Sequence, residues 1–265
     1  MDDRDLLEKR RIIAELTLMN NKFMNKVFDG DITCAQLLLR IILDNDKIIV
    51  KNVVIQRLLQ NLYGHSAQLD ILAEDEHGRK FNVEVQRSDE GAPAKRARFY
   101  SSALDTHFFE TGKDYKDLKD VYVIFITEND VLDCGLPVYD IQRYISNNGK
   151  LFGDGSHIIY VNSKIQDDTP LGRLMQDFYC ADPDKMHYKE LADKVKMFKE
   201  PKGSEDAMVD IIDEYAEKKA KQAAYQNSVA IAENMLADKM SVEAVARYSK
   251  LPIEEVRKLA EKQSA

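Results

Sequence analysis

Asp70, Glu84 and Gln86 are the residues in this chain whose types and spacing could do chemistry. Two carboxylates opposed on one face of a sheet repel each other, and the usual partner that relieves such a pair is a hard divalent cation with oxygen ligands. A hairpin would bring them together. In Lys80–Gln86, Phe81, Val83 and Val85 alternate with Asn82, Glu84 and Gln86, the period-two signature of a strand buried on one side. Glu84 and Gln86 therefore share a face. Gln68–Ala73 supplies the other arm, and Glu76-His77-Gly78 joins the two as a three-residue loop. The last loop position needs the left-handed conformation that glycine tolerates. That loop sets Asp70 across from Glu84, with side-chain roots about 5 Å apart. A slip of one residue would send the two acids to opposite faces. The same spacing also describes an exposed acid pair on the wet side of a surface hairpin, and spacing alone leaves both readings open.

The elements around the hairpin have to position it. Residues 4–19 read as an amphipathic helix, and Phe23 and Val27 continue a helical stripe to Asp29-Gly30. Thr33-Cys34-Ala35-Gln36 has the form of a capping box ahead of a buried helix over Leu37–Leu43. The β-branched run from Ile48 to Leu59 predicts a strand leading to the hairpin. Ala97, Tyr100, Ser101, Leu104 and Phe108 predict a helix from Ala94 to Glu110, stopping at Thr111-Gly112. Val121–Ile126, apolar almost throughout, predicts a central strand covered on both faces. Val138–Ile145 and His157–Lys164 read as two further strands, and Thr169-Pro170 and Asp182-Pro183 each place a cap before a proline that opens a helix. The composition then turns to helix formers. The pattern predicts an α/β domain over 1–181 and a helical extension over 182–265. That extension ends in two short helices over 241–262 with helix-turn-helix proportions, suited to packing, self-association or DNA reading. Lys218, Lys219, Lys221 and Gln222 interrupt its apolar stripe and predict an exposed stretch or a bundle partner.

Composition narrows the function classes. The 265 residues are 44% hydrophobic, enough for a real core. No apolar run approaches the ~20 residues of a membrane span, and the acidic start Met1-Asp2-Asp3-Arg4-Asp5 does not suit a secretory signal, so a cytoplasmic protein is expected. Cys34, Cys134 and Cys180 form no Cys-x-x-Cys pattern. His65, His77, His107, His157 and His187 show no i, i+4 pairing. Neither a zinc site nor a disulfide framework is indicated. A net charge of −8 opposes non-specific nucleic-acid binding, although Arg87, Lys95, Arg96 and Arg98 form a local basic patch that could equally be a solvated helix face.

A helix, three strands with acids on the second and third, a helix and a core strand, in that order, resemble the PD-(D/E)XK nuclease superfamily. The chain is most similar to the Rpn-type recombination-promoting nucleases, also described as PD-(D/E)XK nuclease family transposases, in which an Asp precedes a Glu-x-Gln on the next strand. The matching residues are Asp70, Glu84 and Gln86, followed by Arg96-x-x-x-Tyr100, Gly112-Lys113-Asp114-Tyr115, the Val121–Thr127 strand, the Gly153-Asp154-Gly155 turn and the helical tail. The resemblance implies a restriction-endonuclease-like core, a central mixed sheet flanked by helices, with an all-α C-terminal extension. It implies Mg²⁺-dependent cleavage of DNA phosphodiesters, with Mn²⁺ as a substitute ion. Asp70 and Glu84 would then be metal ligands and Asp70, Glu84 and Gln86 catalytic, while Arg96 and Tyr100 would face the site and Arg96 would grip phosphate. Gln86 stands where the superfamily name has lysine, and a neutral amide orients water or substrate only by hydrogen bonds. Relatives tend to carry aspartate near Asn20 and Asn21, and Asp29 reads as a helix stop. Those amides also motivate a second reading, a weak or inactive mobile-element protein that binds DNA or a protein partner through its helical tail.

Overall fold

Strands from both halves of the first 165 residues meet in one mixed sheet in the computed structural model, which describes residues 3–61, 64–87, 92–200 and 208–264. Strands β1 (Val50–Leu59), β2 (Ala67–Asp75) and β3 (Lys80–Gln86) run antiparallel in succession, and β4 (Val121–Thr127) lies parallel to β3. Strands β5 (Val138–Ile141) and β6 (Ser156–Asn162) complete the sheet, with β6 parallel to β4 and β5 antiparallel to β6 at the edge. The order is β1-β2-β3-β4-β6-β5. β4 thus has a parallel neighbour on each side, which is why its sequence is apolar rather than alternating. β5 and β6 are shorter than expected. Beyond Ile141 only an isolated bridge between Tyr144 and Leu151 continues the pairing.

Three helices precede the sheet, α1 (Asp3–Glu15), α2 (Asn21–Phe28) and α3 (Ile32–Ile42). α2 buries Phe23, Met24, Val27 and Phe28 and lies against β1, β2 and β3. The expected capping box from Thr33 to Gln36 does not form. Asp31 caps α3 two residues earlier, accepting from Cys34 N–H at 2.9 Å, because a carboxylate at that end also meets the positive pole of the helix. Gln36 instead accepts from Val50 N–H at 3.1 Å and ties α3 to the first strand. Helix α4 (Ala94–Phe108) follows β3 directly, and its Ala97, Tyr100 and Leu104 join Val121, Val123 and Phe125 in one apolar cluster.

Thr169 caps α5 (Pro170–Tyr179) as expected, whereas Asp182-Pro183 opens only a three-residue 3₁₀ turn, Pro183–Lys185. Helix α6 (Lys189–Lys199) starts later, after Asp177 accepts from His187 N–H at 2.7 Å and Tyr188 N–H at 2.9 Å. The chain divides into two compact units, Ile13–Ser204, which holds the sheet, and Met1–Ile12 with Glu205–Ala265. The first unit thus extends beyond Ala181. Leu191 and Val195 of α6 are buried in it, and Lys199 Nζ donates to the carbonyls of Ala14, Leu16 and Ala181 at 3.0, 2.5 and 2.6 Å.

The second unit contains α7 (Val209–Ala237), α8 (Val242–Ser249) and α9 (Ile253–Ser264). Ala232, Val245, Leu251 and Val256 form its small core, closed by a turn in which Lys250 takes a left-handed φ of 61°. Lys218, Lys219, Lys221 and Gln222 are exposed, so α7 is solvated along its middle. No described helix is long and apolar enough to cross a membrane.

Candidate active site

Two local features build the hairpin as the sequence predicted. Gly78 adopts φ 78°, and Gly78 N–H donates to Asp75 O at 3.1 Å, closing the three-residue loop. Ile71 then opposes Val83, Leu72 opposes Asn82 and Ala73 opposes Phe81, the register that sets Asp70 against Glu84. Asp70 N–H donates to Glu84 Oε1 at 3.1 Å, so the acids meet across the strands.

The exposed-pair reading fails here. Asn82, Glu84 and Gln86 are 0%, 1% and 3% exposed, because α4 covers the face that a one-sided hairpin would leave wet. Burial pushes the carboxyl pKa of Asp70 upward against a hydrogen bond from Asn21. Burial, and then the charge of Asp70, push Glu84 up to about 8. The oxygens of both acids accept from backbone, amide and guanidinium N–H groups. Glu84 Oε1 also accepts from Asn82 Nδ2 at 3.1 Å, while its Oε2 has only longer contacts, 3.4 Å from Gln86 Nε2 and 3.5 Å from Arg96 Nη2.

Arg96 and Tyr100, one turn apart on α4, both face this cluster. Arg96 Nη1 donates to Gln86 Oε1 at 2.9 Å, and its Nε and Nη2 donate to Tyr100 Oη at 3.2 and 3.0 Å. The guanidinium also lies over the Phe125 ring, 5.9 Å from its centroid. The other members of the basic patch do not join it. Arg87 pairs with Glu128 at 3.8 Å, and Lys95 and Arg98 are exposed on α4.

In the sequence Asn21 stands out only as a departure from relatives and Asn82 only as a member of the polar face, and Asn25 is not singled out. Asn21 opens α2 and its Nδ2 donates to Asp70 Oδ1 at 3.1 Å, while Asn25 Nδ2 donates to Asn21 Oδ1 at 3.3 Å. Asn20 stays outside as the cap of α2, and Asp29 ends that helix exposed. Asn82, two residues before Glu84, is the third polar member of the alternating face. The register of β1 and β2, with Ile55 across from Ile71 and Arg57 across from Leu69, also brackets Gln56 against Asp70, and Gln56 holds a left-handed φ of 48°. Strain of that kind in a side-chain-bearing residue gathers at functional sites.

The buried acids, their amide partners and the helix that follows them form the setting for the comparison with known proteins. A family model described as PD-(D/E)XK nuclease family transposase matches residues 31–168. The chain belongs to this family. No curated protein and no solved structure matches it. The match contains the whole hairpin and α4, so Asp70, Glu84, Gln86, Arg96 and Tyr100 all lie within the PD-(D/E)XK nuclease domain, while Asn21, Asn25 and the helical tail lie outside the matched residues.

The donor set of this nuclease domain suits a hard divalent cation. Asp70 Oδ2 is buried and has no hydrogen-bond partner, a carboxylate oxygen left open beside a second carboxylate. Among the described residues no group of three or more His, Cys, Asp or Glu side chains that could hold a metal ion is assembled. Two buried carboxylates, one of them with an open oxygen, are a donor set for an ion that keeps several waters and shares its shell with substrate phosphate.

Proposed function

We propose that the chain is a divalent-metal-dependent DNA endonuclease that uses Mg²⁺, with Mn²⁺ able to replace it. The observation that carries this reading is the unpartnered Asp70 Oδ2 beside the buried Glu84 within a PD-(D/E)XK nuclease domain. Asp70 and Glu84 hold the cation through their carboxylates. Bound there, the ion supplies Lewis-acid polarisation of a phosphodiester and eases the deprotonation of water.

The chain's own residues do the rest. Gln86 orients water or a phosphate oxygen through its amide, and its side chain is itself held between Arg96 at 2.9 Å and Glu84 at 3.4 Å. Gln86 lacks the positive charge of the lysine found at this place in the superfamily name. Arg96, bonded to Gln86, brings a permanent cation to the same spot from α4 and grips the phosphate with its charge and its one remaining N–H. Tyr100 fixes the guanidinium from the far side. Water-poor burial of the acids strengthens each of these interactions.

Incubating the purified protein with supercoiled plasmid and Mg²⁺ tests the proposal. Nicking by wild type that is lost in Asp70→Ala and in EDTA is the expected result. DNA binding without nicking, or equal nicking by Asp70→Ala, would leave a DNA-binding protein without this catalytic site.

A further inference from the structure

We propose that Asn82 and Asn21 are positioning residues for the cation. Each ties up one oxygen of one acid so that a single oxygen of each acid is left to the metal. This assignment rests on the divalent-cation reading of the site.

The hydrogen bonds hold one oxygen of each acid at 3.1 Å and leave the other unpartnered on Asp70 and only loosely held on Glu84. Glu84 Oε1 accepts from both Asp70 N–H and Asn82 Nδ2, each at 3.1 Å, which leaves little lone-pair capacity for a ligand bond. Oε2 has only the contacts at 3.4 and 3.5 Å, lengths that yield readily to a cation. On the other acid, Oδ1 accepts from Asn21 Nδ2 at 3.1 Å, and Oδ2 has no partner. Asp70 Oδ2 is left open, and Glu84 Oε2 is the more loosely held oxygen of the other acid.

The orientation of each amide is set, and it comes with a penalty. Asn25 Nδ2 donates to Asn21 Oδ1, so the NH₂ of Asn21 must face Asp70. Asn82 turns its NH₂ to Glu84 Oε1 at 3.1 Å. As a consequence Asn25 Oδ1 and Asn82 Oδ1 are buried without a donor, and with Asp70 Oδ2 they are the three such side-chain atoms among the described residues. All three are oxygens, and all belong to this one cluster. A carbonyl left dry is unfavourable, and a leucine at position 82 would remove the penalty while filling a similar volume. What leucine cannot supply is the N–H pointed at Glu84. An aspartate at position 21 would likewise set another negative charge against Asp70, whereas the amide donates to it.

Mg²⁺ titration calorimetry on the full chain tests the assignment, with Mn²⁺ electron paramagnetic resonance as a spectroscopic check of the bound ion. Asn82→Leu and Asn21→Ala should each weaken Mg²⁺ binding about 10–100-fold, the usual effect of removing a partner that orients a metal ligand. Metal-free melting temperatures should hold or rise for Asn82→Leu, and plasmid nicking should return as Mg²⁺ is raised. Asn21 is half-buried at the start of α2, so Asn21→Ala keeps the test decisive if Asn82→Leu does not fold. Wild-type binding with both variants within twofold of it overturns the assignment alone. No Mg²⁺ binding by wild type overturns the cation reading and this assignment with it.

Discussion

Replacing Glu84 by glutamine should stabilise the metal-free protein at alkaline pH while abolishing its response to Mg²⁺. The Glu84 carboxyl is 1% exposed, and its pKa is pushed from 4.5 up to about 8, so the folded state binds that proton more tightly than the unfolded chain does. The stability contributed by the proton is present in full below about pH 4.5 and is lost as the pH rises through about 8. At about 1.4 kcal/mol per pKa unit the ceiling is on the order of 5 kcal/mol. An introduced amide keeps an acceptor for Asp70 N–H and Asn82 Nδ2, but it loses the charge in those bonds and the attraction to Arg96, an offset of about 1–3 kcal/mol. A net gain of about 2 kcal/mol at pH 8 remains, worth roughly 4–8 °C in melting temperature for a unit of this size. Thermal unfolding of wild type and Glu84→Gln in EDTA, at about pH 5 and about pH 8, measures it. The gain should appear at the higher pH and shrink at the lower. Wild type alone should then rise further with Mg²⁺, by about 2.7 kcal/mol at a hundredfold excess over Kd. A variant that melts below wild type at pH 8 in EDTA, or that differs equally at both pH values, would refute the electrostatic reasoning.

Two further outcomes follow from local geometry. Gln56→Gly should raise stability by several tenths of a kcal/mol up to about 1, since glycine removes the left-handed penalty at φ 48° and gives back part of it in chain entropy; a loss in denaturant titration would show that the Gln56 side chain matters more. Under native conditions a thiol reagent should modify the exposed Cys134 first and leave Cys34 untouched until unfolding, because burial pushes the Cys34 thiol up to about 12. Mass mapping of the labelled peptides reads the order directly.

The parts of the fold that were legible in sequence are those fixed by neighbours in the chain. Gly78 and the alternation of Phe81, Val83 and Val85 set the hairpin register without outside help, and the apolar run from Val121 announced a strand covered on both faces. What stayed hidden depends on distant packing. Asn21 reaches Asp70 from a helix 49 residues earlier, and Asn25 backs Asn21. The sequence marked Asn21 as an amide near where relatives tend to carry an acid, but no local pattern points to its contact with Asp70. Period-two alternation marked Asn82, Glu84 and Gln86 as one face but could not say that α4 would bury it. Thr33 and Gln36 had capping-box spacing, yet Asp31 was the better cap and Gln36 was needed at Val50. Asp182-Pro183 has the same cap chemistry as Thr169-Pro170 and makes only one turn, because Asp177 organises the start of the next helix instead.

Helix-turn-helix proportions in the tail raise the question of which unit meets DNA. Such a motif reads DNA through the first residues of its second helix, and here that end carries Glu254 and Glu255. Glu254 accepts from Arg257 Nη1 at 2.7 Å and Glu255 from Tyr225 Oη at 2.5 Å, so both acids are held in place at the α9 N-terminus. Phosphate binding rests on lysine and arginine, each neutralised phosphate contributing about 0.9 to the slope of log affinity against log salt. On α4 the exposed Lys95 and Arg98 flank Arg96, which faces the acids. Replacing Lys95 and Arg98 together by alanine should therefore weaken DNA binding and flatten the salt slope by about 2. The same change at Arg257 and Lys258 should leave affinity within twofold and the slope unaltered. Fluorescence anisotropy on a labelled duplex across a range of salt concentrations separates the cases. A slope that falls for the tail pair and not for the α4 pair would move DNA recognition to the tail and refute the assignment of phosphate contacts to the nuclease domain.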